Sequence, residues 1–512
     1  MLLKQKTVLI AFATLACGVL IGWVASQAQS QNADAPAKFK FTTEIAPGIA
    51  APAKVETRFG TLNFFDGVPD KASAEKIYDN LDFQRAVQAY LLALPVVNQV
   101  ANRDNILKVG PANATVPIWE NLVDSRTVEL TANDNTPYTW IWLDLRKGPL
   151  VIEAPPKVLG VVNDIWYHWN GDIGITGPDK GKGGKYLLLP PGYKGETPEG
   201  YFVIRPGSFS AWAVWRSFVV DGDPKPGVDA VKKFTKIYPL SQVGNPPELN
   251  FINMSGRPFN MVGPADFRFW EMLSHVVQEE STDTVDSTTL GFWAAVGIQK
   301  GKPFAPDERM KKILTEAAVG DSTGRALSYR TREKSAYFFD DRQWKKPFIG
   351  GYKFEWQPRV PNLDAAAMYF FMATGVTPAM DTQIVGEGST YPWTAVDAKN
   401  NPLDGGKNYK VHLPPNIPVK TFWSMIVYDT QTRSMLQTDQ QFPSVSSQNK
   451  AVKANADGSV DVYFGPKAPV GKEGNWVQTI PGKSWCTILR LYGPLEPWFN
   501  KTWRPGDIDL VE

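Results

Sequence analysis

The sequence predicts a multidomain, mainly β protein with helical segments, in which two related β-sandwich (jelly-roll-like) halves flank a helical middle region. Three observations predict it. Short alternating or β-branched and aromatic runs fill 116–220 and return from about residue 381, helical periodicity occupies the interval between them, and the two β-rich stretches share motifs in the same order. The expected organisation is 1–28 signal peptide, 29–110 N-terminal segment with an amphipathic helix, 111–225 first β-domain, 226–380 helical middle, and 381–512 second β-domain.

At the start, Lys4 and Lys6 precede an apolar stretch from Thr7 to Ala25, and Ser26 and Ala28 supply the small residues of a cleavage site. This pattern predicts an exported, periplasmic or secreted protein. The same stretch is close to the roughly 17–25 residues that cross a bilayer, so an uncleaved inner-membrane anchor is the alternative and would be the only membrane contact. Cys17 lacks the surroundings of a lipidated cysteine, and Cys486 is the only other cysteine, so no intrachain disulfide is expected. Lys and Arg total 54 against 52 Asp and Glu, which gives no electrostatic reason to expect a nucleic-acid partner.

After an Ala/Pro-rich tether around Pro36 to Ala53, Asp82 reads as the cap of a helix carrying Val87, Tyr90, Leu91 and Leu94 and ending at Pro95. In the middle, Ala265 to Glu280 and Glu308 to Val319 read as helices, the second capped by Asp307 and terminated by Gly320. In the repeat, Val151 to Pro156 leads to Trp166 and Asp172, as Lys410 to Pro415 leads to Trp423 and Asp429. Further on, Phe202-Val203, Pro206-Gly207 and Arg216 parallel Trp476-Val477, Pro481-Gly482 and Arg490. By this alignment His168 stands where the second half has Met425.

The stretches Gly183-Gly-Lys-Tyr-Leu-Leu-Leu-Pro-Pro-Gly-Tyr193, Tyr201-Phe-Val-Ile-Arg-Pro206, Arg490-Leu-Tyr-Gly-Pro494 and Gly60-Thr-Leu-Asn-Phe-Phe-Asp66-Gly67 carry a family resemblance. The chain resembles bacterial proteins that pair domain of unknown function 1254 with domain of unknown function 1214. The resemblance implies an exported or envelope protein of β-sandwich halves with a helical portion. It implies no activity, so it assigns no catalytic residue.

Candidate site residues come from strand alternation. In Tyr138 to Arg146, Trp140, Trp142, Asp144 and Arg146 share one face, opposite Ile141, Leu143 and Leu145. Ile165 to Gly171 reads as another strand, with Trp166, His168 and Asn170 on one face. His168 and Asp144 are then the candidate acid–base pair, with Trp140, Trp142, Arg146, Trp166 and Asn170 as candidate ligand contacts. Residues repeated in both halves, Arg216 and Arg490 among them, read as scaffold. His168, His275 and His412 are the only histidines, which predicts no metal site, and no cofactor motif is found. His275 between Glu271 and Glu279 reads as a solvated face, and His412 as a structural histidine.

Three functions compete. The first is binding of a small organic or glycan ligand in the first β-domain, with aromatics as stacking surfaces. The second is a periplasmic hydrolase or lyase using His168 and a carboxylate. The third is a structural or assembly protein of the envelope. Oligomeric state is not legible.

Overall fold

The computed structural model describes residues 39–381 and 383–511; the expected signal segment and Cys17 lie outside the described residues. Two compact units divide the chain, up to Lys76 and from Ile77 onward. The first holds an antiparallel sheet of β1 (Lys54–Thr57), β2 (Gly60–Phe65) and β3 (Val68–Pro69).

Helix α1 spans Lys71–Val109. Asp70 caps it by accepting from the Ser73 amide at 2.7 Å, while Asp82, the expected cap, lies inside and pairs with Arg309. Pro95 does not end the helix. A proline removes one ladder bond and bends the chain, and here burial of Leu94, Val96, Val97 and Val100 offsets that cost.

In the second unit the first β-rich stretch contributes β4 (Thr115–Ile118), β5 (Thr127–Val128), β6 (Tyr138–Asp144), β7 (Leu150–Ala154), β8 (Leu159–Asp164), β9 (Trp169–Gly174), β10 (Gly184–Leu188), β11 (Phe202–Ile204) and β12 (Ser210–Arg216). After α2 (Lys225–Phe234) come β13 (Lys236–Pro239), β14 (Asn250–Asn253) and β15 (Phe259–Asn260). A six-stranded sheet runs β14-β4-β6-β12-β8-β9 and a four-stranded one β11-β10-β7-β13. They share a core in which Ile141, Leu143, Ala213 and Trp215 meet Ile152, Tyr186, Leu188 and Ile237. Because β13 and β14 belong to these sheets, the first β-rich body reaches past residue 225.

Helices α3 (Arg268–Glu279), α4 (Ser287–Ala295), α5 (Glu308–Glu316), α6 (Val319–Tyr329) and α7 (Leu363–Met372) follow, with a small hairpin of β16 (Glu355–Gln357) and β17 (Val360–Pro361) before α7. Asp307 caps α5 as expected, its Oδ1 accepting from the Met310 amide at 2.7 Å. Gly320 does not terminate a helix. It sits inside α6, where a Cβ would lie 2.3 Å from Tyr90 Cδ1, so it is glycine because two helices touch there.

The second β-rich stretch contributes β18 (Ser389–Thr390), β19 (Trp393–Thr394), β20 (Asn408–Leu413), β21 (Trp423–Asp429), β22 (Ser444–Ser446), β23 (Val460–Gly465), β24 (Trp476–Gln478) and β25 (Trp485–Tyr492), then α8 (Glu496–Phe499) and β26 (Ile508–Val511). One sheet runs β18-β25-β21-β22, with β19 also on β25, and the other β24-β23-β20-β26. The strand order matches β6-β12-β8-β9 and β11-β10-β7-β13 place for place. The pairs β10–β11 and β23–β24 are parallel in both.

Register corrects the expected residue pairs. Arg216 faces Leu159 across the ladder and Arg490 faces Ser424, so with the arginines superposed Asp164 falls on Asp429 and Gly160 on Met425. Trp423 opens β21, whereas Trp166 lies in the turn after β8, and Asp172 lies in β9. The pairs Trp166/Trp423, Asp172/Asp429 and His168/Met425 are therefore not equivalent. Similar spacing came from different parts of the hairpins.

Candidate ligand-binding site

The alternation in β6 is as expected: Ile141 and Leu143 point into the core between the sheets, and Trp140 and Trp142 point the other way. That outer face is covered. Trp140, Trp142, Trp212 and Val214 pack in one large core with the helices and with Ile426, Tyr428, Cys486 and Ile488 of the second half. Within this layer lies a cavity of about 1240 Å³, bounded by β6, β8 and β12, by β25 and by α7.

Of the seven expected site residues, Trp140 alone lines this cavity. It is 3% exposed, stacks obliquely on Trp119 at 4.1 Å, and its Nε1 has no partner in the protein. Trp142 is buried in the surrounding core. Asp144 and Arg146 form a strut with Glu280: the guanidinium lies 3.1 Å from Asp144 Oδ2 and 3.0 Å from Glu280 Oε1, and Glu280 accepts from the amides of Phe209 and Ser210.

The stretch from Ile165 is a turn and not a strand, with Tyr167 at φ 65°, so the expected face of Trp166, His168 and Asn170 does not exist. Trp166 donates from Nε1 to the Ser281 carbonyl, and Asn170 lies in β9. His168 meets Asp164 instead of Asp144, with Nδ1 3.2 Å from Oδ2. Burial pulls its pKa down, but the Asp164 bond outweighs this and leaves it raised. Asp164 also takes the backbone amides of Trp166, His168 and Gly207, which identifies the pair as a turn clamp.

His275 is exposed, and among the described residues no cluster of His, Cys, Asp and Glu could hold a metal. His412 bonds Asp461 at 2.7 Å, and Cys486 is buried.

The cavity's polar groups come from residues read as scaffold. Arg490 is 7% exposed, and its Nη2 donates to the Thr131 carbonyl at 2.7 Å, the Ala132 carbonyl at 3.4 Å and Tyr428 Oη at 2.8 Å. Its Nε has no partner. Arg216 lies opposite Tyr138 in the ladder, bonds its hydroxyl, and sits 5.4 Å from the centre of the Tyr492 ring. Each half thus sends an arginine against the other half.

The charges reshape their neighbours. Burial raises the Tyr138 hydroxyl, but Arg216 and Arg490 outweigh it and hold the pKa below the ordinary phenol value. Glu129, also in the wall, is 1% exposed, and burial pushes its carboxyl up to about 8 against one bond from the Leu130 amide.

The profile of the protein family of unknown function DUF1254 matches residues 114–239, and that of DUF1214 matches residues 388–496. The chain pairs DUF1254 with DUF1214. The DUF1254 segment supplies Tyr138, Trp140, Trp212 and Arg216 to the cavity, and the DUF1214 segment supplies Arg490 and Tyr492.

No curated protein matches the chain. The VPA0106 protein of Vibrio parahaemolyticus is 18% identical over 84% of this chain and 100% of its own, with a TM-score of 0.52, a likeness of fold. A putative uncharacterized protein from Burkholderia cenocepacia is 12% identical over 85% of this chain and 96% of its own, with a TM-score of 0.37.

Proposed function

We propose that the protein is an exported binding protein of the cell envelope whose two β-rich halves arose by duplication and clasp a small organic molecule between them. The matching strand orders support the duplication, and the charged and apolar N-terminal pattern supports export. One observation carries the binding reading: Trp140, Trp212 and Arg490 all line the cavity, and each holds a buried N–H with no partner in the protein. Buried donors are nearly always satisfied, so three unpartnered ones in the wall of a single cavity support an occupant. The walls of Val161, Val214, Met368 and Ile488 suit an organic body better than a glycan.

The test is native mass spectrometry of the purified protein after exposure to a small-molecule extract. A retained mass is expected on the native protein and not on Val214→Trp, which fills the cavity. A native protein that retains nothing counts against binding.

Catalysis in the same cavity is a second reading, favoured by Glu129 and Tyr138, whose environments push an acid up and a phenol down. A hydrolase or lyase built on His168 and Asp144 has no support, because each is committed to a different partner.

A further inference from the structure

We infer that the ligand is an organic anion whose oxyanion head is held by Arg216 and Arg490 while Trp140 and Trp212 cover its apolar body. This rests on the cavity being a ligand site. A guanidinium withdrawn from water needs an opposite charge or a full set of acceptors. Arg490 has only neutral acceptors, all of them on Nη2, and its Nε is unpartnered. Arg216, only partly buried, has a tyrosine hydroxyl and a tyrosine ring. Among the described residues neither guanidinium comes within 4.0 Å of a carboxylate oxygen.

Two of the nearby acids are engaged elsewhere. Asp172 accepts from Thr377 Oγ1 at 2.6 Å and Trp169 Nε1 at 2.8 Å, and Glu129 accepts from the Leu130 amide. Asp134 is buried close enough for its charge to act on Arg490, yet it makes no ion pair with it. Lys180, Lys420 and Glu387, all exposed, also line the cavity. Two like charges bordering one cavity repel until an anion lies between them, and the planar guanidinium fork fits a carboxylate in two bonds. A neutral sugar would bring neither guanidinium an anionic bonding partner.

The experiment is calorimetric titration of the purified full chain with octanoate and 1-naphthoate, each against its own amide. Each acid is expected to bind at least about tenfold more tightly than its amide, the range of one charge-assisted bond. Arg216→Gln should bring the acid down to the level of the amide and leave the amide unchanged, with Arg216→Lys between them. Arg490→Gln should do the same if circular dichroism shows it folded; if it is not folded, the Arg216 variants decide.

Acid and amide binding equally to the native protein, both lost in Val214→Trp, overturns the anion assignment and leaves the binding reading standing. Undiminished acid binding by folded Arg216→Gln also overturns the assignment. Binding of none of the four probes to the folded protein overturns both.

Discussion

Arg216 and Arg490 hold the same register position in two strands of matching place, yet their surroundings differ. Arg490 reaches across to the Thr131 and Ala132 carbonyls and to Tyr428, whereas Arg216 leans on Tyr138 and the Tyr492 ring. Where two regions of like strand order face each other, arginines at the same register place can be bonded differently: Arg490 ties the two regions together by three donations, while Arg216 keeps fewer bonds.

The largest expected effect comes from breaking the tie. Arg490→Gln should destabilise the fold by about 3–5 kcal/mol, because it strips two buried carbonyls and a hydroxyl of their donor, while Arg216→Gln should cost about 1 kcal/mol or less. Urea unfolding of both variants measures the ratio, and equal costs would erase the distinction between the halves.

An intermediate effect belongs to Glu129. A carboxyl whose pKa rises from 4.5 to about 8 on folding holds its proton longer in the fold than in the unfolded chain. Stability is then greatest below 4.5 and falls as pH rises to about 8, by an amount on the order of 4 kcal/mol at most. Asp134, pushed up to about 6, adds to the fall; Lys345, held down to about 8, opposes it only above that pH. Glu129→Gln should flatten most of the slope between pH 5 and 8 in melting experiments. An unchanged slope would assign it to Asp134.

The smallest effect is expected at His168. Its half-exposed ring pairs with an aspartate already satisfied by three amides, so His168→Met should cost less than about 1 kcal/mol and leave ligand binding unchanged. Loss of binding would return the turn to the site.

Strand alternation made β6 legible, down to which tryptophans leave the inner core, because a period of two is fixed by the backbone. The turn at Trp166 to His168 was not legible. It contains no Gly, Pro or Asn after Asp164, and what makes it is the Asp164 side chain taking the Trp166 amide together with the left-handed backbone at Tyr167. Pro95 read as an end because the burial around it is invisible in one helix alone, and Gly320 read as a cap because its contact with Tyr90 is long-range. The arginines were visible and read as scaffold, and repetition alone does not tell which repeated positions also line a cavity.

The bond from Arg490 to Thr131 joins residues 359 apart in the chain. Such a contact forms late, because the loop it closes must be ordered before anything is gained. During synthesis the aromatic face of Trp140, Trp142 and Trp212 is made long before β25 exists to cover it. That face therefore stays without its β25 cover until the chain is nearly complete, which ties completion of the cavity to the last strands made.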